Sequence, residues 1–172
     1  IEAVTRFVQT LSIPVILDPV CVSKAGSLLL KSDALDALKE LTRHVTLSTP
    51  NLHEAYELFG YKMGDTDSLE ELISHPAPVL IKNHVLGDIS ADLLYFGHQK
   101  LVFTSELIDS TSQHGTGCSY SSAIAANLAL GYTLEASIER SKRFITEAIR
   151  TAPAIGHGRG PINHKSGGQY VA

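Results

Sequence analysis

The sequence has no tryptophan, one methionine and two cysteines among its 172 residues, and aromatic side chains make up only 6% of it. So few large rings argue against a surface built mainly for protein recognition, where aromatic anchors concentrate. Cys21 and Cys118 show no metal-type spacing and are too few for a disulfide scaffold, which suits a reducing, cytoplasmic setting. Basic residues are not in excess. Fourteen Lys and Arg face eighteen Asp and Glu, for a net charge of -4. That excludes a broad electrostatic footprint for nucleic acid or an anionic membrane, so any phosphate must be held locally. No run approaches the ~20 apolar residues that span a bilayer, and no signal-peptide pattern opens the chain. Position 1 is Ile, inside a helical pattern of Ile1, Val4, Val8 and Leu11, so the chain is expected to start within a longer protein.

At 44% hydrophobic, the chain has the size and apolar content for a single α/β domain over residues 1–172. Pro14–Leu17 is a branched apolar run that delivers Asp18-Pro19, as a buried strand ending on an acid would. Ser32-Asp33 resembles a helix cap ahead of Leu35, Leu38 and Leu41. His44–Ser48 reads as a second strand. It is broken at Thr49-Pro50-Asn51 and followed by a helix to about Phe59 that Gly60 stops. A short helix is expected over about 68–74, then a third strand from Pro78 to Lys82. Asp92–Phe96 and Lys100–Thr104, joined through Gly97-His98-Gln99, suggest a hairpin at a sheet edge. Two helices follow, at about 118–130 and 134–151, and the Gly- and His-rich tail from Pro153 reads as irregular. Alternating strands and helices predict a mostly parallel sheet with helices on both faces. Ligands bind such sheets beyond the C-terminal ends of the strands. Asp18, Asn51 with Glu54, and Lys82 all fall at expected strand ends.

His114-Gly115-Thr116-Gly117-Cys118 immediately precedes the helical run from Ser119 to Leu130. Two glycines allow unusual backbone angles and close ligand approach. The first amides of a helix lack internal partners and favour negative charge. The segment therefore reads as an anion hole suited to a transferring phosphoryl group, or as a plain tight turn. At the helix start, the thiolate form of Cys118 is favoured. It can take a proton from an attacking hydroxyl, act as a covalent nucleophile, or merely fill core space.

The run G-T-G-C-S-Y-S-S-A-I-A-A-N-L-A-L from Gly115 to Leu130 resembles the signature of the hydroxymethylpyrimidine and phosphomethylpyrimidine kinases, a branch of the ribokinase-like superfamily. Asp18-Pro19-Val20 with Ser23-Lys24-Ala25-Gly26, Thr49-Pro50-Asn51 with Glu54, and Val79–Lys82 match in order and separation. So do Gly156-His157-Gly158 and Gly160-Pro161-Ile162-Asn163-His164. Most ribokinase-like enzymes have Asp where Cys118 stands; Cys marks the pyrimidine branch and some pyridoxal kinases.

The resemblance implies a three-layer ribokinase-like sandwich and ATP-dependent phosphorylation of 4-amino-5-hydroxymethyl-2-methylpyrimidine, or of its monophosphate, in thiamine biosynthesis. It implies anion-hole amides from Gly115, Thr116 and Gly117, and Cys118 as the base near the substrate hydroxymethyl group. Asn51 and Glu54 would organise Mg²⁺ and the nucleotide phosphates. Lys82 would contact nucleotide, Asp18 would lie near the metal, and Val20 would line the pyrimidine pocket. A cytoplasmic homodimer is expected. The family's glycine-rich N-terminal portion does not precede Ile1, so the chain is expected to lack the first third of the domain. A pyridoxal kinase and a non-catalytic fragment or binding domain are the competing readings.

Without the resemblance, Asp18 also reads as a turn cap, Glu54 as an ordinary first-turn helix acid and Lys82 as a solvated strand end. Cys21, at a position the family usually fills with Met, reads as packing. Lys82-Asn83-His84 departs from the family's usual pair of glycines after the lysine. None of the eight histidines forms a helical H-x-x-x-H pair, so no histidine metal site is expected. His114 reads as a loop residue beside the anion hole.

Overall fold

The computed structural model describes residues 1–23, 26–64, 72–155 and 157–169. Lys24, Ala25 and Gly156 of the matched blocks, and residues 68–71 of the expected helix, lie outside the described residues; 72–74 are helical. The elements run α1 (Glu2–Val8), β1 (Ile16–Leu17), α2 (Ser32–Thr42), β2 (Leu47–Ser48), α3 (Leu52–Phe59), β3 (Val79–Leu86), β4 (Ile89–Phe96) and β5 (Gln99–Glu106). They continue with α4 (Thr116–Ala129), α5 (Leu134–Arg150) and α6 (His164–Gln169). The five strands form one sheet in the order β1-β2-β3-β4-β5.

β1 pairs with β2, and β2 with β3, in parallel. The sheet is mixed, because two-residue turns at Gly87-Asp88 and Gly97-His98 join the last three strands, and such turns can only link antiparallel neighbours. Both central residues of the second turn have positive φ, 57° at Gly97 and 65° at His98, as a type I′ hairpin requires. The expected hairpin is thus present. The third strand differs from expectation: it continues past Lys82 to Leu86 and forms a hairpin of its own with β4.

The chain forms two compact units, residues 1–84 with 92–102, and residues 85–91 with 103–172. In the first, Leu38 and Leu41 of α2 and Ala55, Leu58 and Phe59 of α3 join Val79, Ile81 and Tyr95 in one apolar core. Val79, Leu80 and Ile81 are fully buried, as a strand covered on both faces must be. Cys21 lies in this core as the packing residue expected. Its thiol is pushed up to about 11, chiefly by burial and then by the charges of Glu54 and Glu57. The cap of α2 is not Ser32. The helix already includes that residue, its cap is Lys31, and Asp33 accepts the neighbouring Ala34 N–H at 2.9 Å.

In the second unit, α5 packs against both α4 and α6, burying Tyr120, Ile124, Ile138, Ile145 and Ala148. Thr133 caps α5, accepting the Ala136 N–H at 3.2 Å. The tail is not irregular throughout, since 164–169 form α6. Two glycines hid this helix, because glycine is the poorest helix former after proline. Gly167 is there for closeness: a Cβ on it would meet the Phe144 ring at 2.7 Å and the Phe144 carbonyl oxygen at 2.8 Å. Among the described residues no helix is long and apolar enough to cross a membrane.

Candidate functional site

Four of the expected site residues meet in the first unit. Asp18 follows β1, Asn51 and Glu54 open α3, and Lys82 lies within β3. A parallel bridge pairs Asn51 with Lys82, and the Lys82 N–H donates to the Pro50 carbonyl at 2.9 Å. This stitches the start of α3 to the middle of β3. The Lys82 ammonium donates to Asp18 Oδ1 at 2.8 Å, with side chains only 5% and 18% exposed. The Thr49 hydroxyl donates to the same carboxylate oxygen at 3.3 Å. Lys82 is therefore a buried, paired charge and not the solvated strand end that its position in the sequence allows.

Asn51 and Glu54 form a reciprocal capping box. The Asn51 side-chain oxygen accepts from the His53 and Glu54 N–H groups at 2.9 and 3.0 Å, and Glu54 accepts the Asn51 N–H at 2.8 Å. Three N–H groups at the helix start are satisfied at once. Glu54 is 3% exposed, and burial raises its carboxyl above the ordinary value. The Asn51 N–H and the Lys82 charge oppose that rise, and the Asp18 charge reinforces it. Three charges are thus held within electrostatic reach in a largely buried setting, where adding a counter-charge has a large effect. Val20 lies two residues beyond Asp18 and is 53% exposed.

Asn83 takes φ 70°, the left-handed conformation that glycine adopts most easily. Its N–H donates to the buried Asp92 carboxylate at 3.0 Å. Asn tolerates this conformation better than almost any other non-glycine residue. The departure from glycine after Lys82 thus preserves a glycine-like backbone.

The remaining expected residues lie in the second unit. Gly115 caps α4 with φ 87°, and no side chain caps that helix. The Thr116 N–H turns back to the Gln113 carbonyl at 3.5 Å, and the first intrahelical bond runs from Ser119 N–H to the Gly115 carbonyl at 3.0 Å. Helix geometry leaves the Gly117 and Cys118 amides without an intrahelical acceptor. Cys118, in the first turn, is exposed and unbonded to Cys21. The turn thus offers amide donors and a thiol on one helix end, as an anion hole with a proton acceptor needs.

One part of this site was not legible in the motif. The His114 N–H donates to the Gly160 carbonyl at 3.0 Å, and His114 bridges to Pro161, so the tail block lies along the glycine turn. Gly160 permits that approach, since a Cβ there would come to 2.5 Å from Ser112 Oγ. His164 Nε2 lies 2.7 Å from Ser119 Oγ. Cys118, Ser119, Ser122, Ala123, Phe144 and His164 line an open pocket of ≈ 410 Å³. The family block ending at His164 was the available signal, but spacing along the chain does not show which residue it reaches.

Among the described residues, no group of three or more His, Cys, Asp or Glu side chains is placed to hold a metal. Asp18 and Glu54 nevertheless suit Mg²⁺, which needs only one or two carboxylates when water and phosphate oxygens complete its shell.

The sequence matches the family model for phosphomethylpyrimidine kinase over residues 1–163. It is 42% identical over 157 residues to a thiamine biosynthesis bifunctional protein ThiED from Geobacter sulfurreducens, covering 87% of this chain and 32% of that protein. It is 36% identical over 171 residues to a hydroxymethylpyrimidine/phosphomethylpyrimidine kinase from Synechococcus elongatus, covering 95% of this chain and 65% of that one. The chain thus spans less than two thirds of these curated relatives. Among solved structures it resembles an ADP complex of Bacillus subtilis pyridoxal kinase, with TM-score 0.82 and 31% identity over 96% of this chain and 66% of that one. The α/β fold is ribokinase-like, and the agreement of glycine turn, capping box and family match places the chain in the phosphomethylpyrimidine kinase family.

Proposed function

We propose that the protein carrying this chain is an ATP-dependent kinase that phosphorylates 4-amino-5-hydroxymethyl-2-methylpyrimidine, its monophosphate, or both, in thiamine biosynthesis. The observation that supports it most is the left-handed Gly115 cap of α4, free of any side-chain cap bond, with Cys118 exposed in the first turn. The substrate oxygen attacks the γ-phosphorus, the new O–P bond forms as the bond to the β-phosphate oxygen breaks, and ADP leaves. Cys118, as thiolate, takes the hydroxyl proton. Of the turn Gly115-Thr116-Gly117, the Gly115 and Gly117 amides, joined by that of Cys118, supply donors for the charge on the transferring group, while the Thr116 N–H is turned back to the Gln113 carbonyl.

In the first unit, Asn51 and Glu54 organise the nucleotide phosphates, Lys82 contacts them, and Asp18 and Glu54 would hold Mg²⁺. The metal supplies neutralisation of phosphate charge. Val20 lines the pyrimidine pocket. Residues 1–172 then serve as part of a single kinase domain in a cytoplasmic homodimer, a reading that rests on the family likeness.

The likeness to the Bacillus subtilis pyridoxal kinase favours a second reading, in which the substrate is pyridoxal, also a heteroaromatic ring with a hydroxymethyl group. Phosphorylation of both compounds by the intact protein separates the two. Preference for the pyrimidine by an order of magnitude or more in kcat/KM supports the first, the reverse preference supports the second, and turnover of neither refutes both.

A further inference from the structure

The Ser119–His164 contact joins the proposed anion hole to the tail of the chain, and the tail is anchored on both sides of it. Before His164, the Asn163 N–H donates to the Ala148 carbonyl at 2.8 Å, and its side-chain amide donates to the Thr151 carbonyl at 3.2 Å. The Asn163 side chain also accepts the Ser166 N–H at 3.3 Å, fixing the start of α6. After His164, Gly167 lies so close to Phe144 that even a methyl group would collide. The His164 ring itself lies 6.4 Å from the Phe144 ring, tilted by 47°. The imidazole is therefore held by α5 on a short, doubly fixed stem. Its Nε2 meets Ser119 Oγ at 2.7 Å, and that hydroxyl lies over the glycine turn, 4.0 Å from where a Gly115 Cβ would stand.

A serine in the first turn of a helix tends to bond back to nearby backbone groups and so competes with the regular turn. Engaged by an outside partner, it does the opposite and ties the turn to a rigid neighbour.

We propose that His164 is a positioning residue for this kinase. Through Ser119 it fixes the first turn of α4, and with it the Gly117 and Cys118 amides and the Cys118 thiol. The inference rests on the reading of that turn as the phosphoryl-transfer site. His164 touches neither the phosphate nor the substrate hydroxyl in this role. Its contribution is orientation, and orientation of catalytic groups is costly to lose even by small displacements. Either tautomer serves, since Nε2 accepts the Ser119 hydroxyl proton when bare and donates when protonated. Glutamine, with both a donor and an acceptor, can replace that bond; alanine cannot.

The test uses the intact protein and two readouts. One is the pH midpoint of Cys118 alkylation, followed by mass spectrometry of the Cys118 peptide; buried Cys21 serves as the slow internal control. The other is steady-state kinetics. His164→Ala should shift the alkylation midpoint, because a loosened turn changes what surrounds the Cys118 sulfur. It should lower kcat about tenfold while leaving both KM values within about twofold, the mark of lost orientation and not lost binding. His164→Gln should restore both readouts. Ser119→Ala should reproduce His164→Ala, and the double variant should be no worse than either single variant. An unmoved midpoint and kcat in His164→Ala, or single losses that multiply in the double variant, would overturn the proposal. A shifted midpoint in a protein that phosphorylates neither pyrimidine nor pyridoxal would uphold the positioning and refute the functional reading. Kinase activity with an unmoved midpoint would do the reverse.

Discussion

Glu54→Gln separates the two jobs that the structure gives this side chain. Glutamine at the third helical position still accepts the Asn51 N–H, so the capping box survives. What disappears is a carboxylate at 3% exposure. Burial, the strongest influence on Glu54, holds its carboxyl above the ordinary value of 4.5, against the pull of the Asn51 N–H and the Lys82 charge. A carboxyl raised in the folded protein binds its proton more tightly there than in the unfolded chain. The folded state therefore loses stability as pH rises from the ordinary value through the raised one, at about 1.4 kcal/mol for each unit of the rise. Glutamine carries no such penalty. Denaturant unfolding of the intact protein should show Glu54→Gln close to wild type near pH 4 and more stable at pH 7. Glu54→Ala, which also removes the cap acceptor, should give up about 0.5–2 kcal/mol relative to Glu54→Gln at either pH. Both variants should lose kinase activity. A Glu54→Gln protein less stable than wild type at pH 7 would refute the reasoning, because attraction to Lys82 would then outweigh burial.

Three further outcomes are expected. Asp18→Asn or Lys82→Met alone should destabilise by about 3–5 kcal/mol by stranding the partner charge, and the double variant should recover much of the loss in a denaturant titration. Gly167→Ala should cost about 1–3 kcal/mol through overpacking against Phe144. Gly168→Ala, with nothing within 4 Å of its Cβ, should be neutral or stabilising by up to about 1 kcal/mol in the same assay.

How much of this was legible in the sequence differs by element. The α3 boundaries followed from Pro50-Asn51 and Gly60 because capping chemistry is local. The glycine turn before α4 was legible for the same reason. Lys82 misled, because a charge after four apolar residues looks like a strand end; its burial depends on Asp18, 64 positions away in the chain. The helix at 164–169 was hidden because Gly167 answers to Phe144 and not to local propensity. The Ser119–His164 bond spans 45 positions and has no periodic signal at all. Contacts between distant segments are set by packing, which spacing along one chain does not reveal.

Phosphoryl transfer at the Gly115–Cys118 turn, with Cys118 as proton acceptor, stands or falls on one substitution. ATP-dependent phosphorylation of the hydroxymethylpyrimidine by the intact protein, wild type against Cys118→Ala, tests it most directly. Cys118→Ala should lower kcat about 10²–10⁴-fold with nucleotide binding retained. A Cys118→Ala enzyme that turns over at the wild-type rate would contradict it.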